Sequence, residues 1–139
     1  MAKVNVSLTV QVVGGPTINV AKELAVEAYD KIDISIEPGK DISVEVQPSE
    51  GKRISFLLIK SSIYSDAKKN IKLSYGIDSS DKIDLDQPHF YLGSGVVSLL
   101  GSDPKILKFN LKNGPENKPE NKAELEILVG RDATPEPTT

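Results

Sequence analysis

The chain has 139 residues, enough for one ordinary domain with a substantial core, and its 38% hydrophobic and 27% charged residues are those of a globular chain rather than a disordered one. A formal net charge of -3, with Lys and Arg scattered among the acids, leaves no basic stripe for a phosphate backbone, so nucleic-acid binding is not expected. Cysteine and Trp are absent and aromatics amount to 5%, which removes disulfides, thiolate nucleophiles and Cys-type zinc sites, and leaves Val, Ile and Leu to build the interior.

The first segment, MAKVNVSLTV, sets Val4, Val6, Leu8, Val10 and Val12 apart with polar residues between them, the period-two pattern of a half-buried strand. It has no apolar block followed by a small-residue cleavage site, so no signal peptide is expected. Asn5-Val6-Ser7 is a formal glycosylation sequon but lies inside this strand, and is read as chance. GGP at 14–16 ends the segment. INVAKELAVEAYDK then offers two readings: Ile18, Ala21, Ala25 and Ala28 suit a helix, whereas Leu24, Val26 and Ala28 alternate as in a strand. The strand is preferred because its neighbours are strands, with a short helix within 18–30 as the alternative.

Alternation resumes at Ile32, Ile34 and Ile36, turns at PGKD into Ile42, Val44 and Val46, and turns again at PSEGK into RISFLLIKSS. Further strands are expected at Ile71–Tyr75, around Ile83 and Leu85, at Val96–Leu100 as a buried run, at Leu107–Leu111 and at Leu125–Val129. The count is about nine. The expected fold is all-β, a single-domain antiparallel β-sandwich of jelly-roll or Ig-like type over residues 1–130. A tandem PENK makes 112–123 a solvated loop, and RDATPEPTT at 131–139 reads as an extended tail. The longest apolar stretch, at 95–100, is far short of a spanning helix, and no membrane role is expected.

The stretch DQPHFYLGSGVVSLLG, 86–101, most resembles a site. It holds the only histidine, His89, near Asp84, Asp86 and Ser94, but no nucleophile-elbow spacing, and its glycines fit neither a Walker loop nor a dinucleotide fingerprint. His89 is therefore read as a turn or edge residue, and Gly93 and Gly95 as a bend before a strand. Asp78, Asp81, Asp84 and Asp86 are the best metal candidates, as hard oxygen ligands for Ca²⁺, although the EF-hand order is absent. A solvated acidic face is the preferred reading. No catalytic set and no cofactor are expected.

The strand series KIDISIEPGKDISVEVQPSEGKRISFLLI, the strand AELEILVG and the free terminus resemble the small β-sandwich decoration or cement proteins of bacteriophage capsids. The resemblance spans most of the chain and transfers no functional residue. It implies a virion protein made in the host cytoplasm, a homo-oligomer (often a trimer) that binds major capsid or other virion subunits and stiffens the shell. Two arms are the expected contacts: the first strand, with Val4, Val6 and Leu8, and the C-terminal segment, with Arg131, Thr134 and Pro135. Behind this reading stand a tail-tube, collar or fibre component, then a receptor- or glycan-binding module disfavoured by the scarcity of aromatics, then a hydrolase using a carboxylate pair such as Asp84 and Asp86.

Overall fold

A computed structural model describes residues 2–46, 52–77, 83–100, 106–113 and 122–133. Among the described residues, ten strands form three sheets: β1 (Ala2–Gln11), β2 (Thr17–Val26), β3 (Ala28–Ile36), β4 (Asp41–Glu45), β5 (Lys52–Ser61), β6 (Ile71–Gly76), β7 (Ile83–Asp84), β8 (His89–Leu92), β9 (Ile106–Asn113) and β10 (Ala123–Ala133). All pairings are antiparallel. The fold is all-β, and its body is a sandwich of two four-stranded sheets, β3-β10-β5-β8 and β4-β9-β6-β7.

That order resolves the choice between the two sandwich types. Strands β3 and β10 are neighbours, as are β4 and β9, β5 and β8, and β6 and β7. The chain is thus one long antiparallel ribbon, bent at β6–β7 and wrapped so that successive pairs alternate between sheets. This is jelly-roll connectivity. Period-two alternation supplies each sheet with one apolar face, and the two faces meet in a single core that includes Leu57, Ile59, Leu73, Tyr75, Phe109, Leu125 and Ile127, all essentially without exposure.

Two expectations need correction, and the choice left open at 18–30 is settled for the preferred strand. Residues 18–30 contain no helix: β2 pairs with β1 in unbroken register from Thr17 to Val26, and tertiary pairing overrides the helix propensity of Ala, Lys and Glu. The Val96–Leu100 run is not a strand. Gly93, at φ +97, turns the chain out of β8 while its N–H holds the Ser55 carbonyl. A short helix, α1 (Ser94–Val97), follows and runs into a 3-10 turn at Ser98–Leu100. Val97 and Leu100 pack against the core while Val96 and Leu99 face out, a three-residue spacing that a strand cannot provide. Finally, the segment at 131–139 is not wholly a tail, since β10 continues to Ala133. Most of the PENK loop lies outside the described residues.

The third sheet is the β1–β2 hairpin, which stands apart from the sandwich. Its turn closes through Gly15 N–H to Val12 O (2.8 Å) and Val12 N–H to Pro16 O (3.0 Å), with Gly14 at φ +76, a conformation open to glycine at no steric cost. Only its base touches the body. There Val26 is fully buried against Gly130 and Phe56, and Glu27 N–H bonds the Arg131 carbonyl. A Cβ at Gly130 would meet Val26 Cγ1 at 3.1 Å and Phe56 Cβ at 3.3 Å, so the missing side chain is what lets the hairpin seat.

Candidate functional site

The hairpin is sharply two-faced. Register places Val4 opposite Leu24, Val6 opposite Lys22, Leu8 opposite Val20 and Val10 opposite Ile18. One face is therefore apolar from base to tip, with Lys22 its one charge. The other carries Lys3, Asn5, Ser7, Thr9, Asn19 and Glu23, with Lys3 and Glu23 paired at 3.5 Å. Cover is lost along the ribbon: Val26 is fully buried, Val4, Val6, Val20 and Leu24 are half-buried, and Leu8, Val10 and Ile18 are 45%, 50% and 61% exposed. An isolated two-stranded ribbon is marginal in water, and a row of bare Leu, Val and Ile is what a binding surface offers.

The apolar face continues onto the body. Along β5, Leu57 and Ile59 enter the core, so Phe56 and Leu58, which alternate with them, lie on the opposite face of the sheet, Phe56 buried there beneath the hairpin base; on β8, Tyr91 packs inward and Phe90 and Leu92 outward. Leu128 lies opposite Leu58, and Phe56 meets Phe90 edge-on at 5.1 Å. Leu58, Phe90, Leu92 and Leu128, half-buried, and Tyr29, 57% exposed, make an apolar patch on the outer face of the β3-β10-β5-β8 sheet beside the hairpin base, with Lys31 opposite Leu128 and Phe56 already covered. Toward the far end of that face stand Asp33 and Glu126, both exposed.

Val4, Val6 and Leu8 thus lie on the apolar ribbon face. Arg131, expected as an exposed contact, is a correction: it is 4% exposed, its Nε donates to the Val46 carbonyl (2.8 Å) and its Nη1 meets Asp30 Oδ2 (2.7 Å). An inward position in β10 next to the bulge at Gly130/Arg131 turns its guanidinium into an internal tie. Thr134 and Pro135 lie outside the described residues. The sequence reading missed the β2 half of the ribbon, although Ile18, Val20, Leu24 and Val26 continue the alternation of β1 across GGP.

His89 opens β8, an edge strand, and its ring joins the two sheets. Its Nδ1 lies 2.6 Å from the Tyr75 hydroxyl, which also bonds the Tyr91 hydroxyl, and its Nε2 lies 3.3 Å from Asp86 Oδ1. One proton arrangement satisfies every group: Tyr91 donates to Tyr75, Tyr75 to Nδ1, and Nε2–H to Asp86. Burial pushes the Tyr75 phenol far above its ordinary range, with the Tyr91 hydrogen bond adding to the effect; burial also raises Tyr91, against the effect of the same bond. The group is a carboxylate–histidine–hydroxyl chain whose central hydroxyl, that of Tyr75, belongs to a side chain with no exposure. It works as a polar clasp between β6 and β8.

Asp84 is exposed on β7, and Asp86 is directed to His89, so the two described members of the acidic set do not converge; Asp78 and Asp81 lie outside the described residues. Among the described residues no group of three or more acidic or histidine side chains is placed to hold a metal ion. The described depressions are shallow. One of about 400 Å³ is lined by Lys31, Asp33, Ile34, Ser35, Glu124, Leu125 and Glu126, without an aromatic platform.

No protein-family model matches this chain, and neither a curated protein nor a solved structure matches it.

Proposed function

We propose that this chain is a non-enzymatic structural protein of a virus particle, a capsid decoration or cement protein that binds the shell of major capsid subunits and stabilises it. The carrying observation is the apolar ribbon: a Leu, Val and Ile face held out from a jelly-roll body and continuous with an apolar patch on that body. Such a surface works by burying area against another protein, and repeated weak contacts on a lattice add as avidity. The jelly roll is compatible with this role, but capsid, lectin and cupin domains all use it, so the weight rests on the arm and not on the fold. The one histidine supports a non-enzymatic role too, being engaged in a clasp around a buried phenol.

Mass spectrometry and immunogold labelling of particles purified from cells that carry the gene test the reading. Stoichiometric label spread over capsids is the expected result. Label confined to a tail, collar or fibre selects the neighbouring structural reading, and particles free of the chain overturn both.

A further inference from the structure

We infer that the hairpin ribbon binds a second copy of this chain edge to edge, the free edge of β1 pairing antiparallel with the free edge of that copy's β2. This stands apart from the virion reading, since it concerns what the chain does with itself.

The first ground is what the ribbon's edges lack. In a sheet of two strands each strand has one unpaired edge, and here both strands run ten residues in unbroken register. From Val4 to Ala21 there is no charged residue, and the one proline in that span lies in the turn. The edges of the sandwich are guarded. β3 carries exposed Asp30, Lys31 and Asp33, β4 has five residues and begins and ends on an exposed acid, and β7 and β8 have two and four residues. Short strands and charges are what keep an edge from pairing with another chain. Among the described sheet edges, only the ribbon's are both long and uncharged over most of their length.

The second ground is the phase of the ladder. Val12 N–H bonds the Pro16 carbonyl, so alternation makes Val10 with Ile18, Leu8 with Val20 and Val6 with Lys22 the hydrogen-bonded pairs. The backbone groups of Asn5, Ser7, Thr9 and Gln11 on β1, and of Thr17, Asn19, Ala21 and Glu23 on β2, therefore point away from the ribbon. A second copy fits in the register the chain already uses, with Ser7 against Ala21, Thr9 against Asn19 and Gln11 against Thr17, each pair exchanging two bonds. The joined sheet keeps its apolar residues on one face. Lys3 of one copy then lies diagonal to Glu23 of the next, the pairing it makes at 3.5 Å within one chain. A β1-to-β1 contact would set no acid beside Lys3, since β1 contains none. Joining also turns a two-stranded ribbon, marginal alone, into a sheet of four or more strands. Because the contact is head-to-tail, a ring of copies leaves no ribbon edge bare.

Sedimentation velocity of the purified chain over a concentration series tests this, with circular dichroism confirming that every variant is folded. Self-association is expected. Thr9→Pro and Asn19→Pro each remove one outward N–H without taking a bond from the ribbon's own ladder, and each should weaken assembly on the order of 100-fold. Mixing the two should give a heterodimer, because the Asn19→Pro chain keeps an intact β1 edge and the Thr9→Pro chain an intact β2 edge. In the unaltered chain, amide exchange at Ser7, Thr9, Asn19 and Ala21 should slow about 10-fold or more from dilute to concentrated protein, while Val10 and Ile18 stay protected throughout. A chain that stays monomeric at its highest soluble concentration overturns the inference. Exchange at the outward amides that ignores concentration does so as well, by locating the contact elsewhere. A mixture that stays monomeric, with Val10 and Ile18 protected in both variants, overturns it too. Self-association kept by one proline variant alone shows pairing of like strands and overturns the head-to-tail contact. A monomer that still labels capsids would leave the proposed function standing, and an assembly absent from particles would do the reverse.

Discussion

The hairpin and the sandwich are written in the same code and end in opposite environments. β1 alternates Val4, Val6, Leu8 and Val10; β10 alternates Ala123, Leu125, Ile127 and Val129. In β10 those residues have essentially no exposure, whereas Leu8 and Val10 are about half exposed. Alternation states that one face of a strand is apolar. It does not state what covers it, because cover depends on which strands stack and not on either strand's own residues. In the body the cover is the opposite sheet of the same chain. On the ribbon it is supplied only at the base, by Gly130 and Phe56.

The contrast can be broken most severely from the body side. Ile127→Ala should cost about 2–5 kcal/mol, read by urea denaturation, because the residue is wholly buried between the sheets and a cavity would remain. An equally large cost for Leu8→Ala in the monomer would erase the distinction between the regions.

Next in size is the clasp. Tyr75→Phe removes the hydroxyl shared by His89 and Tyr91 and should cost about 1–3 kcal/mol by the same assay. The clasp also sets an alkaline limit. Tyr75 is held protonated in the folded state, so above about pH 10, where an unfolded tyrosine ionises, the native state binds more protons than the unfolded one. Its contribution is fully present below that pH and falls by about 1.4 kcal/mol per pH unit above it. Denaturation between pH 8 and pH 11 should show the decline (these being about the bounds set by the tyrosine pKa), shallower in Tyr75→Phe.

A smaller effect sharpens the junction. Gly130→Ala pushes a methyl into Val26 and should lower stability by about 1 kcal/mol while loosening the hairpin base. Hydrogen exchange would report this as faster exchange at Glu27, with β9 unchanged. The smallest effect belongs to the bare end of the ribbon. Leu8→Ser should change monomer stability by less than about 0.5 kcal/mol, since the residue has little local cover to lose.

Much of this was legible in advance, and its limits have identifiable causes. Eight-odd strand segments could be read from period two alone, since each buries one face. Segment 18–30 was ambiguous because Ala suits either period; pairing with β1 decided it. Val96–Leu100 misled because a five-residue apolar run has no visible period, and only the turn at Gly93 makes it a helical plug. His89 was placed correctly at an edge, but Tyr75 and Tyr91 were not foreseen as its partners, being 14 residues before it and on the same strand. Arg131 looked like a tail residue because its internal partners, Asp30 and Val46, lie 101 and 85 residues away.

By itself the sequence determined the class: globular-type composition, β-branched alternation and Gly- and Pro-marked turns admit an all-β sandwich, since these are local properties of each segment. Only tertiary structure decided the jelly-roll wrap, the inward turn of Arg131, the His89 clasp and the bare ribbon. Each of those depends on which distant strands become neighbours, and a strand's pattern specifies its apolar face without naming the surface that will meet it.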